Sequence, residues 1–464
     1  MPPASPAHDP EAPAEKGLGP LHGVSHHADQ PDPGAAAAGR GDDPPVTGPG
    51  HVQLDLDLGD VLTYPVQDQW TRLDWANQLG EWDTRAAKCH RTRRRALAPT
   101  PMYRTERGGW SIGGVVRCNH WTCPACGVAR ARDTSAVLGL CIERWLAGGL
   151  GLLAPDVWML TLTMPHTRDD HPGAIVDALF AAWEVFTRSR AWRTWRARWG
   201  VSSVVRVMDV TFGGRNGCHP HFHVALFPSL AATCWRDADA GELVTQPIRG
   251  MVDGDRRDVL DGLAVELRSL WHDALRTVGV TRAIARESLE LTGGERAAAY
   301  FVGWGLGDEV GATTIKARSH LRLLDAAEAG HQQAGPAYAE FCTVAAGRQW
   351  VSSGLGDLRR RCGVEDADVD AYRQRKQAER DAAAAARGEP VVLVRPLLVE
   401  IPADLYGEAM RQGWRRLVRC CDAADAAGLP PQLALRTLLL DAALARRGHR
   451  WAGPDYGADP PRPG

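Results

Sequence analysis

Lysine is nearly missing from this chain of 464 residues: four of its 54 basic residues are Lys and the rest are Arg. With abundant Ala, Gly, Pro and Trp, this marks a GC-rich genome, so the Arg preference carries no function by itself. Long apolar runs are missing too. No stretch approaches the roughly 18 consecutive apolar residues of a membrane span. The first residues have neither the basic start nor the apolar run of a secretory signal. The expectation is a soluble, cytoplasmic protein with no membrane partner. Tyrosine is sparse, at seven. Cysteine is not, at eleven, but in an intracellular chain that number does not imply a disulfide framework. Cys141, Cys234 and Cys342 sit among apolar neighbours and read as ordinary buried thiols.

What is present is unevenly placed, and the net charge of -2 conceals it. Residues 1–60 carry ten acids against two bases, with eleven prolines and nine glycines. Such a segment cannot bury enough apolar surface to offset its ordering and reads as a disordered acidic arm. From Thr84 to Arg132 there are eleven Lys and Arg against one acid, Glu106. A second basic cluster, "FTRSRAWRTWRARWG", follows Asp177. Here Arg188, Arg190, Arg193 and Arg196 can meet phosphates, and Trp195 can stack on a base. Two such clusters point to nucleic acid.

The cysteines concentrate in "RCNHWTCPACGVARAR". Cys118, Cys123 and Cys126 have C-x4-C-x2-C spacing, and the tight C-P-A-C turn aims two thiols at one ion. A closed zinc site needs a fourth ligand. Cys89, in "AAKCHRTRRR", is the first candidate, with His90 and His120 as alternatives. A structural Zn2+ there would staple an Arg-rich module. Residues 61–150 are therefore read as a basic Cys-rich zinc and DNA-binding module.

From Asp156 the pattern becomes α+β. "DVWMLTLTMPH" reads as a buried strand ended by Pro165, and "GAIVDALFAAWEVFTRSRAWRTWRARW" as a helix with its Arg-rich end last. "SSVVRVMDVTF" and "HFHVALF" read as two antiparallel strands joined by the turn "GGRNGCHP". Side chains alternate along a strand, so His221, His223 and Ala225 share one face and Phe222, Val224 and Leu226 the other. Asp209 on the partner strand comes near the two imidazoles. Two imidazoles and a carboxylate suit a divalent cation such as Mg2+ or Mn2+ and leave positions open on it. His219 reads as a turn residue, because Pro220 interrupts the ladder. Downstream, Thr292 and Glu295 have the spacing of a capping box, which predicts a helix start and places Tyr300 near its second turn. After residue 364 the chain is Ala- and Arg-rich. "ERDAAAAARGEP" reads as a linker, and "PPQLALRTLLLDAALARRGHRW" as an amphipathic helix of a C-terminal region spanning 365–464.

Together these stretches resemble the rolling-circle replication initiators of the His-hydrophobic-His (HUH) endonuclease superfamily, most closely those of small plasmids from actinobacteria and other Gram-positive bacteria. The resemblance rests on "LTLTMPH" (160–166), "HPHFHVALF" and "YFVGWGLGDEVGATTIKA", with "CNHWTCPAC" upstream of them and "GRQWVSSGLGDLRRRCGV" downstream, and on the order and spacing of the five over about 89–364. It implies an HUH nuclease domain over 151–364, with a central antiparallel sheet flanked by helices. It further implies that His221 and His223 hold the metal with Asp209, that Tyr300 is the nucleophile, and that the product is a 5′-phosphotyrosine. Glu295 is the nearest glutamate that would activate water for the terminating cleavage. The family's lysine three residues after the tyrosine is Gly303 here, and Lys316 or a nearby Arg stands in for it. The implied partners are single-stranded and origin duplex DNA, with a host helicase, a host polymerase and a second copy of the chain as further candidates. Relaxases and transposases share this chemistry and are the runner-up. A zinc-stapled DNA-binding regulator without catalysis is the alternative from another class.

Overall fold

The computed structural model describes residues 68–79, 89–106, 108–148, 154–167, 170–213, 217–236, 243–293, 320–388 and 393–446. The acidic arm expected over 1–60 lies outside them. The strands are β1 (Thr100–Arg104), β2 (Trp110–Ile112), β3 (Trp158–Leu162), β4 (Val201–Gly213), β5 (Gly217–Pro228), β6 (Ala232–Arg236), β7 (Leu243–Pro247), β8 (Leu289–Gly293) and β9 (Leu397–Ile401). The helices are α1 (Gln69–Gln78), α2 (Cys126–Leu146), α3 (Pro172–Arg188), α4 (Arg190–Arg198), α5 (Asp253–Thr277), α6 (Arg322–Glu328), α7 (Ala334–Ala345), α8 (Gly354–Arg361), α9 (Asp366–Ala386), α10 (Tyr406–Gln412), α11 (Trp414–Ala426) and α12 (Pro431–Arg446). The class is α+β with antiparallel sheets. Among the described residues no helix is long and apolar enough to cross a membrane.

The central sheet runs β4-β5-β3-β8, with every neighbouring pair antiparallel. Alternation buries it on both sides. Leu160, Met208, Phe222, Val224 and Leu226 face α3 and α5 through Ile175, Leu179, Phe186, Leu267 and Trp271. Val205, Val207, Ala225 and Phe227 face α2, α8 and α9 through Ile142, Trp145, Leu358 and Tyr372. The free edge of β4 is covered by the segment before α8, where the Met208 amide donates to Trp350 O and the Ser352 amide to Arg206 O. That closes an edge otherwise open to pairing.

A second sheet, β2-β1-β9, joins distant parts of the sequence. Its core mixes Trp70, Trp110 and the cysteines with Val399, Ile401, Trp414, Leu417 and Leu439. The Cys-rich stretch and the C-terminal helices therefore share one core. Arg104, buried, binds Asp422 at 2.7 Å and Asp425, which ties β1 to α11.

Four local expectations are corrected. The single helix read over 173–199 is two, because Ser189 adopts an extended conformation and its hydroxyl accepts the Trp192 amide as the cap of α4. β5 runs straight through Pro220, which pairs with Val210. β3 reaches only to Phe222, so Pro220 lies where β5 has a free side and a missing amide is tolerated. Thr292 and Gly293 are strand residues opposite Met159 and Trp158, so no helix starts at Thr292. Of the stretch read as a linker, 379–390, residues 379–386 are the end of α9, whose alanines are the strongest helix formers.

Candidate metal centres

The first centre is built across three strands of the central sheet. Asp209 on β4 is directly opposite His221 on β5, and His223 lies between Val207 on β4 and Thr161 on β3. The ligand atoms of Asp209, His221 and His223 all lie within 4.8 Å of one another. Asp209 Oδ2 is 3.5 Å from His221 Nε2 and 3.8 Å from His223 Nε2. Two ligands each at about 2.1 Å from one ion can be no more than about 4.2 Å apart, so both separations fit a shared cation.

The remaining polar atoms of these side chains are committed elsewhere. His221 Nδ1 donates to His219 O at 3.2 Å, and His223 Nδ1 is 3.2 Å from Thr161 Oγ1. Asp209 Oδ1 accepts the Val210 amide at 2.9 Å. Those partners orient each ring with Nε2 toward the carboxylate, the arrangement that outer partners give metal-binding histidines. All three side chains are buried. Next to them, His219 Nδ1 is 3.2 Å from His166 Nε2, and the His166 Nδ1 donates to Met164 O. Burial and the neighbouring imidazoles hold His219 down to about 4, and burial lowers His166 too. His219 is thus a strand residue that supports His221 through its carbonyl.

The second centre is the cysteine cluster. The sulfurs of Cys89, Cys118, Cys123 and Cys126 lie within 4.8 Å of one another, and Cys89 and Cys126 are 3.5 Å apart. Four sulfurs at about 2.3 Å from a tetrahedral zinc are about 3.8 Å apart, so the cluster has that scale. The turns that deliver them are specific. His90 and Asn119, each just after a cysteine, take positive φ of 59° and 52°. The His120 amide points at Cys118 Sγ (3.4 Å) and the Cys126 amide at Cys123 Sγ (3.5 Å). Hydrogen bonding inside the cluster splits the four thiols. Cys118 lowers Cys126 and raises Cys123 and Cys89, while Cys123 lowers Cys118. Thiols so close cannot all ionise without a cation among them, and that donor set is the one zinc takes. His90 Nδ1 instead contacts Cys89 Sγ at 3.0 Å, and His120 Nδ1 contacts Thr122 Oγ1. Two tyrosine hydroxyls brace the loops: Tyr406 donates to His90 O and Tyr338 to Thr122 O.

The remaining residues singled out from the sequence are placed as follows. Tyr300, Glu295, Gly303 and Lys316 lie outside the described residues. Arg190 and Arg193 are exposed on α4, Arg188 pairs with Glu184, and Arg196 donates to Val201 O. Trp195, expected to stack on a base, is core instead. It is buried, stacks on Trp192 at 5.5 Å and meets the edge of Trp158. The helical period turns it inward while the arginines turn out. Sequence reading missed Thr161 and the carbonyl of His219 as orienting groups; the register of β3 against β5 is what reveals them.

Comparison with known proteins gives one distant similarity. A segment of 201 residues is 23% identical to a protein named "Protein rep" from Streptomyces lividans, covering 38% of this chain and 41% of that protein. The chain thus matches well under half the length of this relative. No family model matches, and no solved structure matches.

Proposed function

We propose that this chain is a replication initiator that nicks one strand of a plasmid origin and later rejoins it, as a rolling-circle initiator of the HUH type. The convergence of Asp209, His221 and His223 on one face of the central antiparallel sheet carries the reading. The similarity to Protein rep supports it. A Mg2+ or Mn2+ ion, when held by these three side chains, supplies polarisation of the scissile phosphate and compensation for the charge that builds on it. The chain's own residues do the rest. His219 O and Thr161 fix the two imidazoles, and Asp209 keeps one carboxylate oxygen toward them. The Tyr300 oxygen attacks phosphorus in line and loses its proton to solvent, and the bond to the 3′ oxygen breaks. The 3′ oxygen takes up a proton, leaving a 5′-phosphotyrosine and a free 3′-OH that a host polymerase extends behind a host helicase. Attack by a 3′-OH on the phosphotyrosine reverses the step and reseals the strand. Glu295 activates water for the terminating cleavage, and Lys316 takes the place of the lysine that Gly303 replaces. The exposed arginines Arg188, Arg190 and Arg193 guide the single strand, and a structural Zn2+ closes the four-cysteine cluster.

The test is a denaturing gel of purified protein incubated with single-stranded origin oligonucleotide and Mn2+ or Mg2+. A covalent protein–DNA adduct is expected, lost in Tyr300→Phe and reduced at least a hundredfold, by about 3 kcal/mol of transition-state stabilisation, in His221→Ala or His223→Ala. Absence of an adduct with either metal would falsify the nuclease reading. An adduct that survives Tyr300→Phe retires only that nucleophile.

A further inference from the structure

The four-cysteine body has a basic face that the nicking reading does not use. Residues 90–94 run antiparallel to 114–116 as a narrow ribbon. The Val116 amide donates to Thr92 O at 2.7 Å, the Arg94 amide to Gly114 O at 2.8 Å, and the His90 amide to Val116 O at 3.0 Å. The ribbon carries Arg91, Arg94, Arg95 and Arg117, all exposed. None of the four is ion-paired with a described carboxylate; Arg91 donates to the backbone oxygen of Asn77. On α8 and α9 the same residue type is compensated. Arg359 pairs with Asp366, Arg360 with Asp357, Arg373 with Asp133 and Asp370, and Arg375 with Glu143.

Beside the ribbon lies a cavity of about 290 Å³, and Arg117 belongs to both. Arg130 and Arg132 also line it, with Asn119 and Ser111. The acid on its wall, Asp133, is already held by Arg373 at 2.6 Å. Exposed arginines with no described carboxylate on them, set beside a polar recess, are the features that receive phosphate oxygens. The rings nearby are largely withdrawn. Trp70 and Trp110 are buried, Arg130 covers Trp121 at 4.5 Å, and Arg93 covers Tyr406 at 4.7 Å. Tyr103, 43% exposed, is the open ring of this body among the described residues. Single strands are held by charge combined with successive stacking rings. Charge without that platform suits the phosphates of a double helix, whose bases stay stacked on one another.

We propose that this face is a docking site for the backbone of duplex DNA, with Arg91, Arg94, Arg95 and Arg117 along the ribbon and the adjoining cavity, at its Arg117 and Arg130 side, seating a phosphate. It deepens the nucleic-acid reading above by separating where the duplex is held from where one strand is cut. Only the partner class depends on that reading.

The experiment is fluorescence anisotropy with the full chain, a short mixed-sequence duplex and its isolated single strand, over a series of salt concentrations. Each phosphate contact contributes about 0.9 to the slope of log K against log salt for duplex DNA. The triple variant Arg94→Gln, Arg95→Gln, Arg117→Gln should lower the duplex slope by between about 2 and 3 and weaken duplex binding, with single-strand binding less affected. The double variant Arg359→Gln, Arg360→Gln removes like charge from paired positions that do not line the cavity and should leave the slope unchanged. An unchanged slope in the triple variant overturns the proposal. So does an equal fall in the double variant, which would make the effect one of net charge, or an equal loss of single-strand binding. Retained metal content and an unchanged circular dichroism spectrum establish that the triple variant is folded. No adduct is read in this assay, so a protein that docks duplex but never nicks retires the nuclease reading alone.

Discussion

At the scale of single residues, Gly127 does as much for the cysteine cluster as the cysteines beside it. It follows Cys126 in the first turn of α2, and a Cβ there would meet Trp121 O at 2.0 Å. The loop from Cys118 to Cys123 can fold back onto the helix only because that atom is absent. Gly127→Ala must push the loop away from the helix, at the ~1–3 kcal/mol typical of overpacking. The sulfurs then spread. We predict a lower melting temperature and bound zinc well below one per chain by elemental analysis; a variant that keeps both would show that the loop has slack. Cys123→Ser should lose zinc outright, since one ligand of a closed site is gone. The cysteine spacing was legible in the sequence because chemistry sets it. The sequence put Cys89 first but left His90 and His120 open, because setting them aside depends on turns with positive φ at His90 and Asn119. Trp195 fails in the other direction. Its residue type suits stacking, but helical phase decides which way it points.

At the scale of elements, periodicity worked where one face of a strand or helix settles its fate. β4 and β5 read cleanly from alternation, and their antiparallel pairing brings Asp209 opposite His221. Punctuation worked less well. The capping-box spacing at Thr292 lost to the ladder with β3, and the break between α3 and α4 hung on one serine hydroxyl. β9 was invisible because its partner β1 lies roughly 300 residues earlier in the chain, and local pattern carries no such pairing. That pairing yields a prediction. A chain ending at Gly388 lacks β9 and α10–α12, and with them Val399, Ile401, Trp414, Leu417, Leu435 and Leu439, all essentially fully buried. At roughly 2 kcal/mol each their loss rivals the ~5–15 kcal/mol that stabilises a whole domain. Truncation should leave the four-cysteine body unfolded, seen as insoluble expression or absent zinc. A soluble truncated chain with full zinc content would show that the shared core is dispensable.

At the scale of the whole molecule, the two centres are joined by packing, and one buried histidine couples them to pH. Trp121, in the cysteine loop, stacks on Trp350, whose carbonyl holds the β4 edge beside Asp209. His320 packs against Trp350, Phe341 and Tyr338, and Tyr338 braces the cysteine loop. Burial holds His320 down to about 4 from its ordinary 6.5, opposed in part by the Asp209 carboxylate and reinforced by the Arg72 guanidinium. Between those two values the unfolded chain binds more protons at this position than the folded one. Its contribution to stability is therefore complete above about 6.5 and is lost as pH falls through about 4, to a limit of roughly 3 kcal/mol. His320→Leu removes the titration and keeps the apolar contacts, so its urea-unfolding free energy should fall less than that of the wild type between pH 7 and pH 4.5, by roughly 2 kcal/mol. Parallel losses in the two proteins would show that His320 titrates alike folded and unfolded, and that the junction between the centres is open to water.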